Sequence, residues 1–166
     1  SSLGTFPLPD SQLDRFLLSF DMRAPDIATH VSILDAHAGD LPYATVPPVM
    51  SGEQLVAMQK AVRCLHVSRA VMEYVARLCE AIGLHKTISA PPSTRASIAL
   101  MNAARAQAYL NGRDSVYPDD VKRIFTCVLR HRLVPRQGTG RNIGLVEGIL
   151  DEIKNTTHVP MARQDA

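Results

Sequence analysis

Residues 93–133 read STRASIALMNAARAQAYLNGRDSVYPDDVKRIFTCVLRHRL, and this stretch predicts two successive helices. The first runs from about Ser93 to Leu110 and stops at Asn111 and Gly112, which are typical of a helix C-terminus. It is rich in alanine, the residue with the highest helix propensity, whose small side chain lets neighbouring helices approach closely. We therefore expect a central, closely packed helix whose alanines are Ala96, Ala99, Ala103, Ala104, Ala106 and Ala108.

The second helix of this stretch begins at YPDDV. Pro118 suits the first helical position, and Asp119 and Asp120 complement the positive end of the helix dipole. The basic tripeptide RHR at residues 130–132 suits the negative C-terminal end. The apolar spacing predicts that one face is buried, formed by Val121, Ile124, Phe125, Val128 and Leu129.

Arg95 is in an unexpected place, because it lies in the first turn of the alanine-rich helix. A cation at an exposed helix N-terminus costs about 0.3 to 1 kcal/mol. A phosphate bound at the free N–H groups would turn this cost into a favourable interaction. A nearby carboxylate, such as Asp114 or Glu80, would explain the arginine equally well. The residues alone leave both explanations open.

Further helices are predicted on both sides. Ser51 and Gln54 form an S-x-x-Q capping box at the start of a helix from about Gly52 to Cys64. A second helix carries an apolar stripe, and Gly83 would supply its C-terminal stop. The stripe consists of Val71, Val75, Leu78 and Ile82. A short final helix is expected from Leu145, Val146, Ile149, Leu150 and Ile153.

The N-terminal part has a different pattern. PDSQLDRF at residues 9–16 predicts one short helix, and LLSFDM at residues 17–22 a single strand that has no partner in the sequence. A turn or two of helix is expected within residues 24–37. The proline-bearing segment LPYATVPPVMSG, residues 41–52, is typical of a domain boundary.

Composition excludes several classes of protein. The 166 residues are 46% hydrophobic, enough for a core, and a net charge of +2 gives no general case for binding nucleic acid or membrane. No apolar run has the length of a transmembrane helix and SSLGTFPLPD is unlike a signal peptide, so a cytoplasmic location is expected. The three cysteines, Cys64, Cys79 and Cys127, form no C-x-x-C pair and are expected to be small buried hydrophobes. Of the six histidines only His30 and His37 share a helical face, so no metal site is expected.

Few residues of the sequence suggest catalysis or ligand binding. GTGRNIG at residues 138–144 matches no phosphate-loop pattern and is interpreted as a flexible connection. No nucleophile and base can be paired, so self-contained catalysis is not expected. Arg15 could simply compensate a helix dipole or form a surface pair. A basic nucleic-acid-binding face would have to use Arg130, His131, Arg132, Arg136 and Arg141.

Two long segments of the chain resemble MoxR-type AAA+ ATPases. GTFPLPDSQLDRFLLSFDM (4–22) looks like the segment after the sensor 1 strand of that family, and PPSTRASIALMNAARAQAYLNGRDSVYPDDVKRIFTCVLRHRL (91–133) looks like its helical lid domain. LHVSRAVMEYVARLCEAI (65–82) extends the resemblance. The motifs LPDSQLDRF, STRA, GRDSVYPDDV and VLRHRL come in the order and approximate spacing of the family.

The resemblance implies a mainly α fold, a helical-bundle lid preceded by a short helix-strand remnant of the α/β core. The implied domains are a core remnant (1–23), a connecting segment (24–52), the lid (53–154) and a tail (155–166). The implied parent is a ring-forming, usually hexameric, ATPase that uses ATP and magnesium to remodel or mature partner proteins. A von Willebrand factor A-domain protein is one expected partner, and neither nucleic acid nor membrane is expected.

The resemblance also assigns two arginines. Arg15, in LDRF, matches the arginine finger, which acts in trans on the γ-phosphate bound by the adjacent subunit. Arg95, in STRA, matches the sensor 2 arginine, which contacts the γ-phosphate and couples it to lid position. Whether Arg95 acts on its own subunit's nucleotide or a neighbour's stays open.

The departures from the family pattern limit these expectations. The Walker A loop, the Walker B acids and the sensor 1 asparagine have no candidate in these residues and are expected upstream of Ser1, so this chain alone is not expected to hydrolyse ATP. Two alternatives remain, a stand-alone helical interaction module without an ATPase role and a helical nucleic-acid-binding domain.

Overall fold

The computed structural model describes residues 8–38, 46–136 and 142–159, and these residues form seven helices and no strand. The prediction of a mainly α protein is therefore confirmed. In chain order the helices are α1 (Asp10–Leu13), α2 (Ile27–His37), α3 (Gly52–Cys64), α4 (Arg69–Leu84), α5 (Thr94–Leu110), α6 (Pro118–Leu129) and α7 (Ile143–Thr156).

The strand expected at residues 17–22 does not form. A strand needs a neighbour for its backbone groups, and none of the described residues supplies one. The Ser19 N–H instead donates to the carbonyl of Cys127, at 2.8 Å. That carbonyl is one of the last four of α6, which have no partner within their own helix. The segment is therefore held by a helix end.

Helix α4 has the predicted apolar face, but it ends differently from the prediction. All four residues of the stripe are buried, and Ser68 caps the helix by accepting from the Val71 N–H at 3.3 Å. Gly83 lies inside the last turn, and the helix ends at Leu84 with an extended His85. A Cβ on Gly83 would lie 2.8 Å from the Cβ of Pro91, so the glycine permits a close approach and is not the helix stop.

Helix α5 forms where the sequence predicts it. The Ser93 hydroxyl accepts from the Ala96 N–H at 3.2 Å and caps its start. At its end Gly112 adopts φ 70°, a conformation that favours glycine, and the Arg113 N–H donates to the Ala108 carbonyl at 3.0 Å. Five of the six alanines are buried, and Ala106 is half-buried.

Helices α4 to α7 enclose the hydrophobic core, and α5 packs most extensively against α6. Each large apolar side chain that is fully buried contributes about 1.5 to 3 kcal/mol relative to leaving it exposed. The largest of them are Tyr74, Phe125, Leu78, Ile82, Ile88 and Leu100. In α6 the predicted face is buried except for Ile124, which is half-buried. In α7 the predicted residues are buried except Leu145.

The chain divides into two compact units. One combines the residues up to Ser19 with those from Ala61 onward, and the other is Phe20–Lys60. The division crosses α3. This division into compact units does not test the domain limits that the family resemblance implies, and those limits stay a prediction.

Helices α2 and α3 form as regular elements without a buried residue. The capping box of α3 is confirmed, because the Ser51 N–H donates to Gln54 Oε1 at 2.7 Å and the Gln54 N–H to Ser51 Oγ at 3.1 Å. Helix α2 has 11 residues, longer than the expected turn or two, and the Asp26 side chain accepts from the Thr29 N–H at 2.8 Å.

The cysteines differ from the expectation in one case. Cys79 is buried and Cys127 half-buried, but Cys64, the last residue of α3, is exposed. Burial raises the pKa of the Cys79 thiol, and its contact with Ser97 opposes this. Within the described ranges, no helix is both long and apolar enough to cross a bilayer.

Candidate functional site

Arg15 lies in the turn that follows the short helix α1. Pro9 precedes the helix and Asp14 ends it. The turn continues because the Arg15 N–H donates to the Gln12 carbonyl and the Phe16 N–H to the Leu13 carbonyl, each at 3.1 Å. Arg15 itself is exposed. The turn therefore presents this guanidinium to solvent.

Arg95 lies in the first turn of α5, as the sequence predicts, and its side chain is 60% exposed. Its Nη1 is 3.4 Å from Oδ2 of Asp14. The carboxylate beside Arg95 is thus Asp14, 81 residues away, and not Asp114 or Glu80 as the sequence suggested. This contact offsets the unfavourable position of the arginine in the helix dipole.

The carboxylate of Asp14 also contacts Ser93, the residue that caps the start of α5. The Ser93 Oγ is 3.1 Å from both oxygens of Asp14, so the hydroxyl donates to Asp14 while it accepts from the Ala96 N–H. An anionic oxygen therefore lies at the N-terminus of α5, where the dipole and an arginine both favour it.

Arg132 approaches this carboxylate from the end of α6. Its side chain is 3% exposed, and its Nε is 3.9 Å from Asp14 Oδ1. Its Nη2 donates to the Phe16 carbonyl at 2.7 Å, and His131 Nε2 is 2.9 Å from the same oxygen. Burial lowers the pKa of Arg132, the charge of Asp14 opposes that change, and the charge of Arg95 adds to it.

Arg130 contacts Ser19, which lies further along the N-terminal segment that contains Asp14 and Phe16. Its Nε donates to the Ser19 hydroxyl at 3.1 Å, and its Nη1 donates to Glu147 Oε1 at 2.7 Å. Residues 14–19 are thus bound to the end of α6 by three consecutive basic side chains. From the sequence these three residues were predicted to compensate the helix dipole, and no local spacing could reveal contacts to residues more than 110 positions away.

These contacts disfavour the nucleic-acid-binding alternative. Arg130 and His131 are buried and the Arg132 side chain is almost fully buried, while Arg136 is exposed and donates to the Ile88 carbonyl at 2.7 Å. A basic face that binds phosphates needs exposed cations. Arg141, the fifth residue of that hypothesis, lies outside the described residues, as does most of the GTGRNIG segment.

His30 and His37, the histidines that share a helical face, both lie on α2. Within the described ranges no three side chains of the metal-binding types come together. The candidate site is the cluster at the start of α5 in which Ser93, Arg95 and Arg132 surround the carboxylate of Asp14, the residue next to Arg15.

The bundle of α4 to α7, with Arg95 in the first turn of α5, agrees with the lid domain that the sequence resemblance implies. Residues 80–153 match the family model described as the AAA lid domain. The chain belongs to the MoxR-type branch of these ATPases, of which it carries the lid domain.

Two curated relatives illustrate this similarity. The chain is 32% identical over 160 residues to the uncharacterized protein YeaC of Bacillus subtilis, which covers 96% of this chain and 50% of the relative. It is 32% identical over 140 residues to the chaperone MoxR1 of Mycobacterium tuberculosis, covering 79% of this chain and 37% of the relative. The chain thus spans half or less of the length of these relatives.

A solved structure has the same fold. The crystal structure of a candidate ATPase from Cytophaga hutchinsonii superimposes with a TM-score of 0.85 at 22% identity. The match covers 97% of this chain and 52% of that chain. At this identity the likeness establishes the fold of these residues and not an activity.

Proposed function

We propose that this chain is the lid and arginine-finger portion of a ring-forming AAA+ ATPase. In this proposal Arg15 is the finger, which reaches the γ-phosphate bound by an adjacent subunit and stabilises the charge that develops during hydrolysis. Arg95 is the sensor 2 residue, which contacts the γ-phosphate and couples its presence to the position of the lid.

One observation carries the proposal. The backbone of Arg15 lies near Arg95 although the two are 80 positions apart in sequence, because Arg95 contacts Asp14 and Arg15 is the residue directly after Asp14. Both side chains are exposed, whereas the neighbouring Arg132 is buried. Exposed guanidinium groups are suited to a multiply charged oxyanion supplied from outside the chain.

The residues present fit a phosphate. Arg95 contacts Asp14 through Nη1 at 3.4 Å while its side chain is 60% exposed, so its other N–H groups can bind a phosphate beside the carboxylate. ATP and magnesium would be held chiefly by a nucleotide-binding region, to which this chain adds only the two arginines. When bound, ATP supplies the γ-phosphoryl group that is transferred to water.

The oligomeric state, the location and the partner of the protein are part of the same proposal. We propose a homo-oligomeric ring, hexameric as is usual in the family, in the cytoplasm. The ring would remodel or mature a partner protein, with a von Willebrand factor A-domain protein as one candidate. The name of the MoxR1 relative, a chaperone, is consistent with this kind of work.

The coding sequence upstream of Ser1 provides the first test. The proposal requires a G-x-x-x-x-G-K-[ST] loop there, because its backbone N–H groups and lysine bind the phosphates that Arg15 and Arg95 would contact. An upstream sequence without such a loop would support a stand-alone interaction module instead.

The second test is Arg15→Ala in the protein encoded by the whole reading frame. We expect kcat for ATP hydrolysis to fall by about 10³-fold or more, the range for loss of an arginine finger. Nucleotide affinity should stay nearly unchanged, because the finger acts mainly in the transition state. Arg69→Ala is the matched control: Arg69 is also exposed and begins α4, with only a surface pair to Glu73 at 3.1 Å.

Mixing experiments test whether the finger acts between subunits. A variant with a disabled Walker loop still carries Arg15, so mixing it with Arg15→Ala should restore part of the activity. No restoration at any mixing ratio would contradict a role in trans. For Arg95→Ala we expect weaker discrimination of ATP from ADP, and an unchanged ratio of the two affinities would leave Arg95 with a structural role only.

A further inference from the structure

The carboxylate of Asp14 is the common partner of three groups from two other elements. Ser93 Oγ lies 3.1 Å from both its oxygens, Arg95 Nη1 is 3.4 Å from Oδ2, and Arg132 Nε is 3.9 Å from Oδ1. Asp14 itself is the last residue of the α1 turn, and its side chain is 21% exposed. One side chain thus joins α1, the start of α5 and the end of α6.

This place requires a negative charge. Two guanidinium groups, of Arg95 and Arg132, and the positive end of the α5 dipole converge on it. Without the carboxylate, the two cations would repel each other next to the helix N-terminus. A neutral side chain of the same shape could bind Ser93 but could not hold both arginines.

Arg15 lies between two anchored neighbours. On one side Asp14 is bound to Ser93 and Arg95, and on the other the Phe16 carbonyl accepts from Arg132 Nη2 at 2.7 Å. Both anchors belong to the unit that contains α4 to α7. The backbone of Arg15 is therefore fixed to the lid while its side chain remains exposed.

We infer that Asp14 is a positioning residue, which fastens the turn that carries Arg15 to the start of α5 so that Arg15 and Arg95 are presented together. This inference rests on the proposed function of the two arginines. In this role Asp14 contacts neither the nucleotide nor the attacking water and acts chiefly through Arg15. A finger displaced by about 1 Å can lose on the order of 100-fold in rate.

The anchoring is tested first without nucleotide, by hydrogen exchange on the 166-residue chain carrying Asp14→Asn. We expect the amides of Arg15 and Phe16 to exchange about two- to fivefold faster, the effect of losing a partly exposed ion pair. The matched control is Asp35→Asn, at an exposed carboxylate on α2, which should leave these amides unchanged. Unchanged exchange in Asp14→Asn would overturn the inference whatever the ATPase does.

Kinetics in the protein encoded by the whole reading frame provide the second readout. Asp14→Asn should lower kcat by about 10- to 100-fold with little change in KM, and Asp14→Glu, which keeps the charge, should recover part of the loss. In an Arg15→Ala background, Asp14→Asn should cause a much smaller further loss, because the residue acts chiefly through the finger and only its contact with Arg95 remains.

Each other outcome has a distinct meaning. If Arg15→Ala is inactive and Asp14→Asn has normal kcat, the inference fails and the proposed function stands. Additive losses in the double variant would also overturn the inference, since Asp14 would then act independently of Arg15. If Arg15→Ala hydrolyses ATP normally, the proposed function fails. Thermal melting monitored by circular dichroism verifies that each variant is folded at the assay temperature.

Discussion

At the scale of single residues, Gly83 shows how a residue can have a role that its sequence position does not indicate. A glycine near the end of a predicted helix is usually read as a stop signal. Here it lies within α4, and the absence of a Cβ lets Pro91 approach. Pro91 lies two residues before Ser93, the cap of α5, so this contact packs the end of α4 against the segment that leads into α5.

We predict that Gly83→Ala lowers the free energy of unfolding by about 1 to 2 kcal/mol. The new Cβ would lie 2.8 Å from Pro91 Cβ, and overpacking of a rigid neighbour outweighs the gain of up to about 1 kcal/mol in helix propensity. Gly148→Ala is the matched control, because no atom lies within 4 Å of a Cβ at that position of α7. It should stabilise by about 0.5 to 1 kcal/mol. Urea denaturation measures both, and a stabilised Gly83→Ala would refute the close contact.

At the scale of elements, the connection between α5 and α6 depends on Asp120. This carboxylate, 1% exposed, accepts from Arg113 Nη1 at 2.8 Å, from Asn111 Nδ2 at 3.3 Å and from the Tyr117 N–H at 3.0 Å. The donors lie at the end of α5, in the connection and at the start of α6. Asp120 therefore joins both helix ends, beyond the dipole compensation that the sequence predicts.

Asp120→Ala should destabilise the chain by about 2 kcal/mol. It removes the acceptor of three hydrogen bonds to a buried carboxylate, while the donor residues Asn111, Arg113 and Tyr117 are exposed and can turn in part to water, which limits the loss. Asp119→Ala, at the exposed neighbouring position, removes only a favourable charge from the first turn and should cost less than about 1 kcal/mol. Thermal denaturation of the pair distinguishes the two roles, and equal losses would contradict the buried network.

At the scale of the whole molecule, apolar burial is distributed unevenly along the chain. The core belongs to α4 to α7 and their connections, while α2 buries no residue. Ile27, Val31 and Leu34 of α2 are each at least half exposed. An isolated helix of this length is marginally stable in water, so tertiary packing supplies most of the stability of the others.

We therefore predict that hydrogen exchange of the 166-residue chain separates the helices. Amides in α6 should be protected at least about a hundredfold more than those in α2, although the two helices have similar lengths of 12 and 11 residues. Mass spectrometry of peptides from the two helices measures the difference. Equal protection would show that α2 is stabilised by contacts that its exposure does not indicate.

Much of the fold could be predicted from the sequence because helix formation depends on residues close together in the chain. Propensity, capping and the apolar stripe act over at most a few turns. The limits of α3, α5 and α6 and the buried faces of α4 and α6 agree with these local signals. The capping box of Ser51 and Gln54 was equally predictable, whereas the prediction of a strand at residues 17–22 failed because a strand depends on a distant partner.

The site was determined only in part by the sequence. The position of Arg95 against the helix dipole indicated that an anion lies at the start of α5, and its identity as Asp14 came from the tertiary structure alone. The same holds for RHR at residues 130–132, whose local pattern suggests a solvated helix end but whose side chains are buried against residues 16–19. Charges from separate elements meet only when apolar packing brings those elements together, and that packing is a property of the whole chain. The sequence by itself thus determined the helices, the MoxR-type resemblance and the presence of an anion site, and the tertiary structure decided which groups form it.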